Sequence, residues 1–454
     1  MQSVEEHTPV VHTASLCSES STTPVSSLNV AASPISFLLE ELLVMIFDYV
    51  ITSESSSWKC QRRHATSGWR SLSPPRHLAS VSRAWRTIVF ACPMLWRHVV
   101  LTAHQPIHAL EEHLRNSSPL PIHLTVHKYW PFRNSIPASG PYPIVELGIR
   151  LRSIAYPKGR EGSTLAPACR RVESITINAT ESCLFLSFVL TMLTGRDFMF
   201  PALRHVAING NACATWSTAF FFDGKNAPTL DRLELSNVVI SYDANKLLCH
   251  TGLNLTTLVW TAPAHEHGSL VVSLSCFHHV VSSLPSLTKL ELHGHVVGLE
   301  FVTLESLESS SVTPLKHVRE LRISGQVFSN GRAALVLFYL LPSLRHVAVR
   351  GRACSGPIAL RTVMHALRAL TDPPKTLDWP IVLPDLEDLE LKCLDGSASA
   401  AWITWYIGEL ELWRQWRETI ANSRKDSNVA QMRIHVMVDK VPMGPDEEEL
   451  GTLL

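Results

Sequence analysis

A short phrase recurs along this chain and constrains its fold more than any other feature. The phrase is an apolar residue, two others, an apolar residue, one other, and a final apolar residue. It appears as "CRRVESITI" (Val172, Ile175, Ile177), "PALRHVAI" (Leu203, Val206, Ile208), "PTLDRLEL" (Leu230, Leu233, Leu235) and "LNLTTLVW" (Leu255, Leu258, Trp260). It continues as "PSLTKLEL" (Leu287, Leu290, Leu292), "KHVRELRI" (Val318, Leu321, Ile323), "PSLRHVAV" (Leu344, Val347, Val349) and "LPDLEDLEL" (Leu386, Leu389, Leu391). The alternating end of each phrase predicts a short strand with one buried face. Several phrases begin Pro-x-Leu, a place where proline opens a strand without continuing it.

Successive first positions lie 31, 27, 25, 32, 31, 26 and 42 residues apart. This centres a little above the leucine-rich-repeat period of roughly 20 to 29. Helix-like stretches fall between the phrases, among them "CLFLSFVLTMLTG", "LVVSLSCFHHVVSSL", "GRAALVLFYLL" and "IALRTVMHALRAL". One strand plus one helix cannot bury its apolar face alone, so neighbouring units stack. A doubly wound α/β domain also alternates strand and helix, but it does not require the phrase itself to recur. The expected fold is therefore α/β: a small helical module followed by an irregular leucine-rich-repeat solenoid.

The predicted organisation is a disordered Ser/Thr-rich leader over 1–33, a helical domain over 34–100, repeats with a C-terminal cap over 101–440, and an acidic tail over 441–454. Within the helical domain, 51–77 reads as a polar insert with five Lys/Arg against one Glu. The cap is expected around Trp402, Trp405, Trp413 and Trp416, and "QMRIHVMV" reads as a closing strand.

Composition excludes several function classes. Lys+Arg and Asp+Glu both number 40, so the basic excess of a general nucleic-acid binder is missing. The ten cysteines contain no Cys-x-x-Cys pair and fit free thiols in a reducing compartment. The first residues lack a basic start followed by an apolar core, so no secretory signal is read there. The longest apolar run, 183–193, is too short to span a bilayer. These features predict a soluble cytoplasmic or nuclear protein.

No phosphate-binding glycine loop, nucleophile elbow or His-Glu-x-x-His motif is present. The pairs His265/His267 and His293/His295 place two imidazoles on one strand face but lack a third ligand by spacing. No catalytic residue, metal or cofactor is predicted, and the chain is not expected to be an enzyme.

The stretch "FLLEELLVMIFDYV" (37–50) carries more apolar surface than a helix packed on one side requires. Leu78, Val81, Trp85 and Ile88 in the following stretch share one helix face. Together the two resemble the F-box, whose first helix usually reads Leu-Pro-x-Glu-Leu/Ile-Leu-x-x-Ile-Phe. Leu38, Glu41, Leu42, Leu43, Ile46 and Phe47 match that pattern, and Leu39 stands at its proline. The later Leu-x-x-Val and Trp-Arg of the family match Leu78, Val81, Trp85 and Arg86, and "PMLW" (93–96) resembles a Pro-x-Leu-Trp common in fungal members.

The resemblance implies a substrate-recognition subunit of an SCF-type cullin–RING ubiquitin ligase. The box would dock on a Skp-family adaptor, and through it a cullin scaffold, using Leu38, Glu41, Leu42, Leu43, Ile46, Phe47 and Trp85. The repeats would hold a protein substrate, with Arg204, Arg232, Lys289, Arg319, Arg345 and Glu387 as candidate contacts by their position on or beside the strands. The alternative is a non-catalytic leucine-rich-repeat scaffold in which the helical segment is only an N-terminal cap.

Overall fold

A computed structural model describes residues 38–57, 74–102, 106–127, 143–155, 167–179, 183–193, 198–210, 215–216, 225–240, 254–261, 274–294, 313–324, 331–351, 383, 385–393, 408, 411–412, 414–415, 418–419 and 433–438. The leader, most of the basic insert, the cap tryptophans, the pair His265/His267, His295 and the acidic tail lie outside them. Residues Met1–Leu43 form one unit and Val44–Leu454 another.

The second unit is built on a single 11-stranded sheet in which every neighbouring pair is parallel and strand order follows sequence order. Its strands are β1 (His98–Leu101), β2 (Ile122–His127), β3 (Val172–Asn178), β4 (His205–Asn209), β5 (Arg232–Ser236), β6 (Thr257–Thr261), β7 (Lys289–His293), β8 (Glu320–Ser324), β9 (His346–Gly351), β10 (Asp388–Cys393) and β11 (Arg433–Val438). A separate pair joins Thr215–Trp216 to Val239–Ile240. The helices are α1 (Glu40–Ser57), α2 (Pro74–Val81), α3 (Arg83–Ala91), α4 (Ile107–Asn116), α5 (Pro143–Ala155), α6 (Cys183–Leu193), α7 (Leu274–Ser282) and α8 (Gly331–Leu340).

Each recurring phrase ends on one of these strands, and its aliphatic residues whose side chains are described line the buried face. Leu230, Leu233 and Leu235 are buried, as are Leu287, Leu290 and Leu292. Register places Leu233, Leu258, Leu290, Leu321, Val347 and Leu389 side by side across six strands. The result is one contiguous hydrophobic core from Val99 to Leu389.

The prolines act before the strands, not in them. In four phrases the residue ahead of the proline accepts a hydrogen bond from the leucine two residues beyond it: Leu203 N to Phe200 O, Leu230 N to Ala227 O, Leu287 N to Leu284 O and Leu344 N to Leu341 O. This is a β-turn with proline at its second position, where a fixed φ near −65° suits the turn and no donor is needed. The expectation that these prolines open strands is corrected accordingly.

Beyond the turn, the amides of the next two residues converge on one carbonyl of the preceding strand's entry. Asp231 N and Arg232 N both donate to Arg204 O, and Thr256 N and Thr257 N both donate to Asp231 O. The pattern repeats at Thr256 O, Thr288 O, Arg319 O and Arg345 O. At the strand exits the donors run the other way: Ala179 N to Asn209 O, Gly210 N to Ser236 O, Asn237 N to Thr261 O and Gly294 N to Ser324 O. Asn237 (φ 56°) and Gly294 (φ 75°) take the left-handed backbone conformation there, which asparagine and glycine adopt at least cost.

The expected fold class is overturned. The described residues form an α/β architecture with one sheet of parallel strands; a small helical module followed by a leucine-rich-repeat solenoid is not what they form. Two observations account for the difference. The phrase specifies a strand, and the strands it specifies join one continuous parallel sheet in sequence order. The helices before β1 also do not stand apart, because from Val44 onward they belong to the same unit as the sheet.

Arg171 ties the first part of this unit together. Its guanidinium donates to the carbonyls of Leu114 (2.9 Å), Ser117 (3.1 Å) and Leu120 (2.8 Å), fastening the end of α4 and its following turn to the start of β3. No single-headed ammonium can reach three such acceptors in that planar arrangement. Arg171→Ala is expected to lower unfolding free energy by about 2 kcal/mol in urea denaturation, and Arg171→Lys to recover less than half of the loss.

Candidate functional site

Two surfaces of the second unit hold the residues singled out from the sequence: the helices before β1 and the polar face of the sheet.

The helices are locked to one another by aromatic contacts. Phe47 of α1 is buried and meets Trp85 of α3 at 4.6 Å between ring centroids. Ser82 caps α3 by accepting the Trp85 amide at 3.1 Å. Trp96, fully buried in the 3-10 turn Pro93–Trp96, donates Nε1–H to the Val89 carbonyl at 2.8 Å and packs against Phe90. Phe47 and Ile51 thus spend one face of α1 on the interior. On the other side, Met45 (65% exposed), Ile46 (45%) and Tyr49 (73%) face solvent, and Val81 of α2 and Phe90 of α3 are exposed as well. A surface helix does not ordinarily leave large apolar residues exposed at i, i+1 and i+4. In the first unit, Leu38, Glu41 and Leu42 are exposed and Leu43 is buried. Of the residues matched to the F-box pattern, Leu38, Glu41, Leu42 and Ile46 are therefore accessible, while Leu43, Phe47 and the half-buried Trp85 hold structure. Sequence reasoning missed Met45 and Tyr49; their signal was the width of the apolar arc on α1.

On the sheet face, side chains from successive strands stand in rows set by the register. Most cations there are already paired. Arg232 Nε lies 2.7 Å from Glu234, which also takes His205 at 3.3 Å. These two partners, the His205 hydrogen bond first, hold the Glu234 carboxyl down at about 2. Lys289 lies 3.2 Å from both Glu291 and Glu320, and Arg322 lies 2.6 Å from Glu320. Arg345 reaches Glu387 at 3.4 Å and Arg319 reaches Asp385 at 3.9 Å. Asp388 gathers His346 and Arg433, each at 2.8 Å. Among the six sheet residues proposed as substrate contacts, five are thus engaged within the face, and Arg204 is exposed without an ion pair among the described residues. The register does not bring the six together; it spreads them across β4 to β10.

Two serine–histidine contacts deserve a chemical test. His123 Nδ1 is 2.9 Å from Ser174 Oγ, and Arg97 Nη2 is 2.9 Å from His123 Nε2. A guanidinium only donates, so Nε2 accepts and the ring proton sits on Nδ1, pointing at Ser174. That ring cannot take the serine proton, and the pair is structural. His293 Nδ1 contacts Ser324 Oγ, with Glu291 3.7 Å from His293 Nε2. The Glu291 contact is too long for an orienting hydrogen bond, and the carboxylate is shared with Lys289 and Arg322. Backbone amides in the middle of a parallel sheet are spent on the ladder and cannot form an oxyanion hole. Neither contact is an acyl-transfer site.

Histidines concentrate at the first two strands. His98 and His123 stack at 4.9 Å, and His113 of α4 lies edge-on to Trp96 at 5.0 Å. Burial pushes His113, His123 and His127 down to about 4 and lowers His98, whose nearby Asp48 opposes the shift. Among the described residues, no group of three or more His, Cys, Asp or Glu is arranged to hold a metal ion. No helix among them is long and apolar enough to cross a membrane.

No protein-family model matches the chain, and no curated protein matches it significantly.

In long-range proton–nitrogen spectra, His123 is expected as the Nδ1-protonated tautomer at pH 7, remaining neutral until the pH falls toward 4. A proton on Nε2 would contradict the Arg97 contact and restore Ser174 as a nucleophile candidate.

Proposed function

We propose that this chain is a non-catalytic protein-recognition subunit of an SCF-type cullin–RING ubiquitin ligase. The helices before β1 dock on a Skp-family adaptor, and the polar face of the sheet presents a protein substrate. The observation that carries this reading is the solvent-facing apolar side of α1, formed by Met45, Ile46 and Tyr49 opposite the buried Phe47 and Ile51. An apolar helix face left open while its other face is packed is the geometry of helix-in-groove recognition. The F-box resemblance of Leu38, Glu41, Leu42, Leu43, Ile46, Phe47 and Trp85 supplies the class of partner. Such a subunit positions its cargo for transfer by other subunits, and positioning alone contributes a large share of a bimolecular rate.

A second reading has its own support. Trp96 is fully buried and holds α3 through the Val89 carbonyl while meeting His113 of α4. Helices fastened this way also serve as a cap over the first strand, with no adaptor involved. Adaptor capture by the intact chain separates the readings: under the cap reading no cullin complex is recovered.

The direct experiment is affinity capture of the adaptor by the intact chain and by the double variant Met45→Asp, Ile46→Asp. Both positions are exposed, so the thermal midpoint is expected to stay within a few degrees of wild type while adaptor affinity falls by about 30-fold or more. Phe47 is avoided because a charge there would be buried against Trp85. No adaptor capture by the intact chain, or full capture by the folded double variant, overturns the proposal.

A further inference from the structure

The histidines at the start of the sheet are placed where the helices meet the strands. His113 is 1% exposed, and neither ring nitrogen finds a hydrogen-bond partner within normal distance among the described residues. It lies against Trp96, the residue that anchors α3, with the backbone of His98 and Trp96 nearest its ring. His98 and His123 stack face to face on β1 and β2, and Arg97 points into the His123 ring. All three imidazoles therefore have to be neutral for this packing to stand.

We infer that residues 74–127 form an acid-sensitive clasp, in which protonation of the His98, His113 and His123 cluster frees α2–α4 from β1 and β2 while the strands from β5 onward stay ordered.

The charged groups around the cluster leave little to compensate new cations. His98 faces Asp48 of α1 and its own neighbour Arg97. His113 faces Arg76 of α2 and His98. Arg76 is itself ion-paired to Glu112 of α4, so that carboxylate is already in use. His123 faces Arg97, His98, Glu173 of β3 and His205 of β4. Two carboxylates, Asp48 and Glu173, thus stand against two arginines before any imidazole is charged, and Glu173 already lies 3.8 Å from Arg97. Charging His113 would also bury a cation with no carboxylate beside it, and desolvation there outweighs what the nearby backbone of His98 and Trp96 offers, which favours opening over accommodation.

The sign follows from linkage. The folded clasp binds fewer protons than its opened form, so its stability is complete above about pH 6.5 and declines as the pH falls toward 4. The strands from β5 to β8 hold no buried histidine among the described residues, and their cations are paired to carboxylates on the same face. The two regions therefore separate in pH. This inference is independent of the adaptor proposal, since it is read without any partner.

Hydrogen exchange of the full chain, followed by mass spectrometry at pH 7.5 and pH 5 and corrected for the intrinsic rate, reads both regions at once. Peptides from 74–102 and 106–116 are expected to lose protection by about tenfold or more, and peptides from 232–236, 289–294 and 313–324 to change by less than about twofold. His113→Leu and His123→Asn are each expected to retain protection at pH 5. Asparagine at 123 keeps a neutral polar group beside Arg97 and Ser174, so it decides the matter if His113→Leu does not fold. Uniform loss along the chain, no loss at pH 5, or acid sensitivity unchanged in His123→Asn would each overturn the clasp.

Discussion

Everything in the sheet depends on the alignment of one buried aliphatic row with the next. A parallel strand offers its neighbour no tight hairpin to fix register, so register is set by burial and by what happens at the strand ends. A slip of one residue would turn Leu233, Leu258 and Leu290 toward solvent and bring Arg232, Thr257 and Lys289 inside. The paired amides at each strand entry oppose that slip, because both donors must find one carbonyl. Side-chain position on the open face, including every ion pair there, is inherited from this register.

The strands were legible because period-two burial leaves a direct trace in sequence: the apolar positions of "PTLDRLEL" or "PSLTKLEL" are the buried positions of β5 and β7. The fold class was not. A recurrent strand phrase says that strands lie side by side, and it carries no information on whether a helix fills each connection. The prolines were misplaced for a related reason. Pro201 or Pro285 next to a strand pattern is compatible with a strand opening or a turn, and only the carbonyl that the following leucine finds separates the two.

Legibility of the functional surfaces was uneven in the same way. The excess apolar arc of α1 could be counted from 37–50, but periodicity gives no absolute direction, so Phe47 and Ile46 were indistinguishable until Trp85 took one of them. The charged residues of the sheet were visible as a list and not as pairs: nothing near Lys289 in sequence announces Glu320, which reaches it only because β8 lies beside β7. The buried His113 gave no signal at all, since a histidine in "IHALEEHLRN" reads as one more polar residue on a surface helix.

The two rims of the sheet are tied in opposite senses, entry amides reaching back to the preceding strand and exit amides reaching forward to the next. β4 to β8 are consequently gripped at both ends by their neighbours, and each entry from β5 to β10 is fixed by backbone bonds to the strand before and not by the segment that joins the two. This explains how first positions 25 and 42 residues apart coexist in one regular array. It also makes the connections the natural place for the chain to gain new sequence: a segment lengthened between an exit amide and the next turn changes what the protein displays without changing the lattice that displays it.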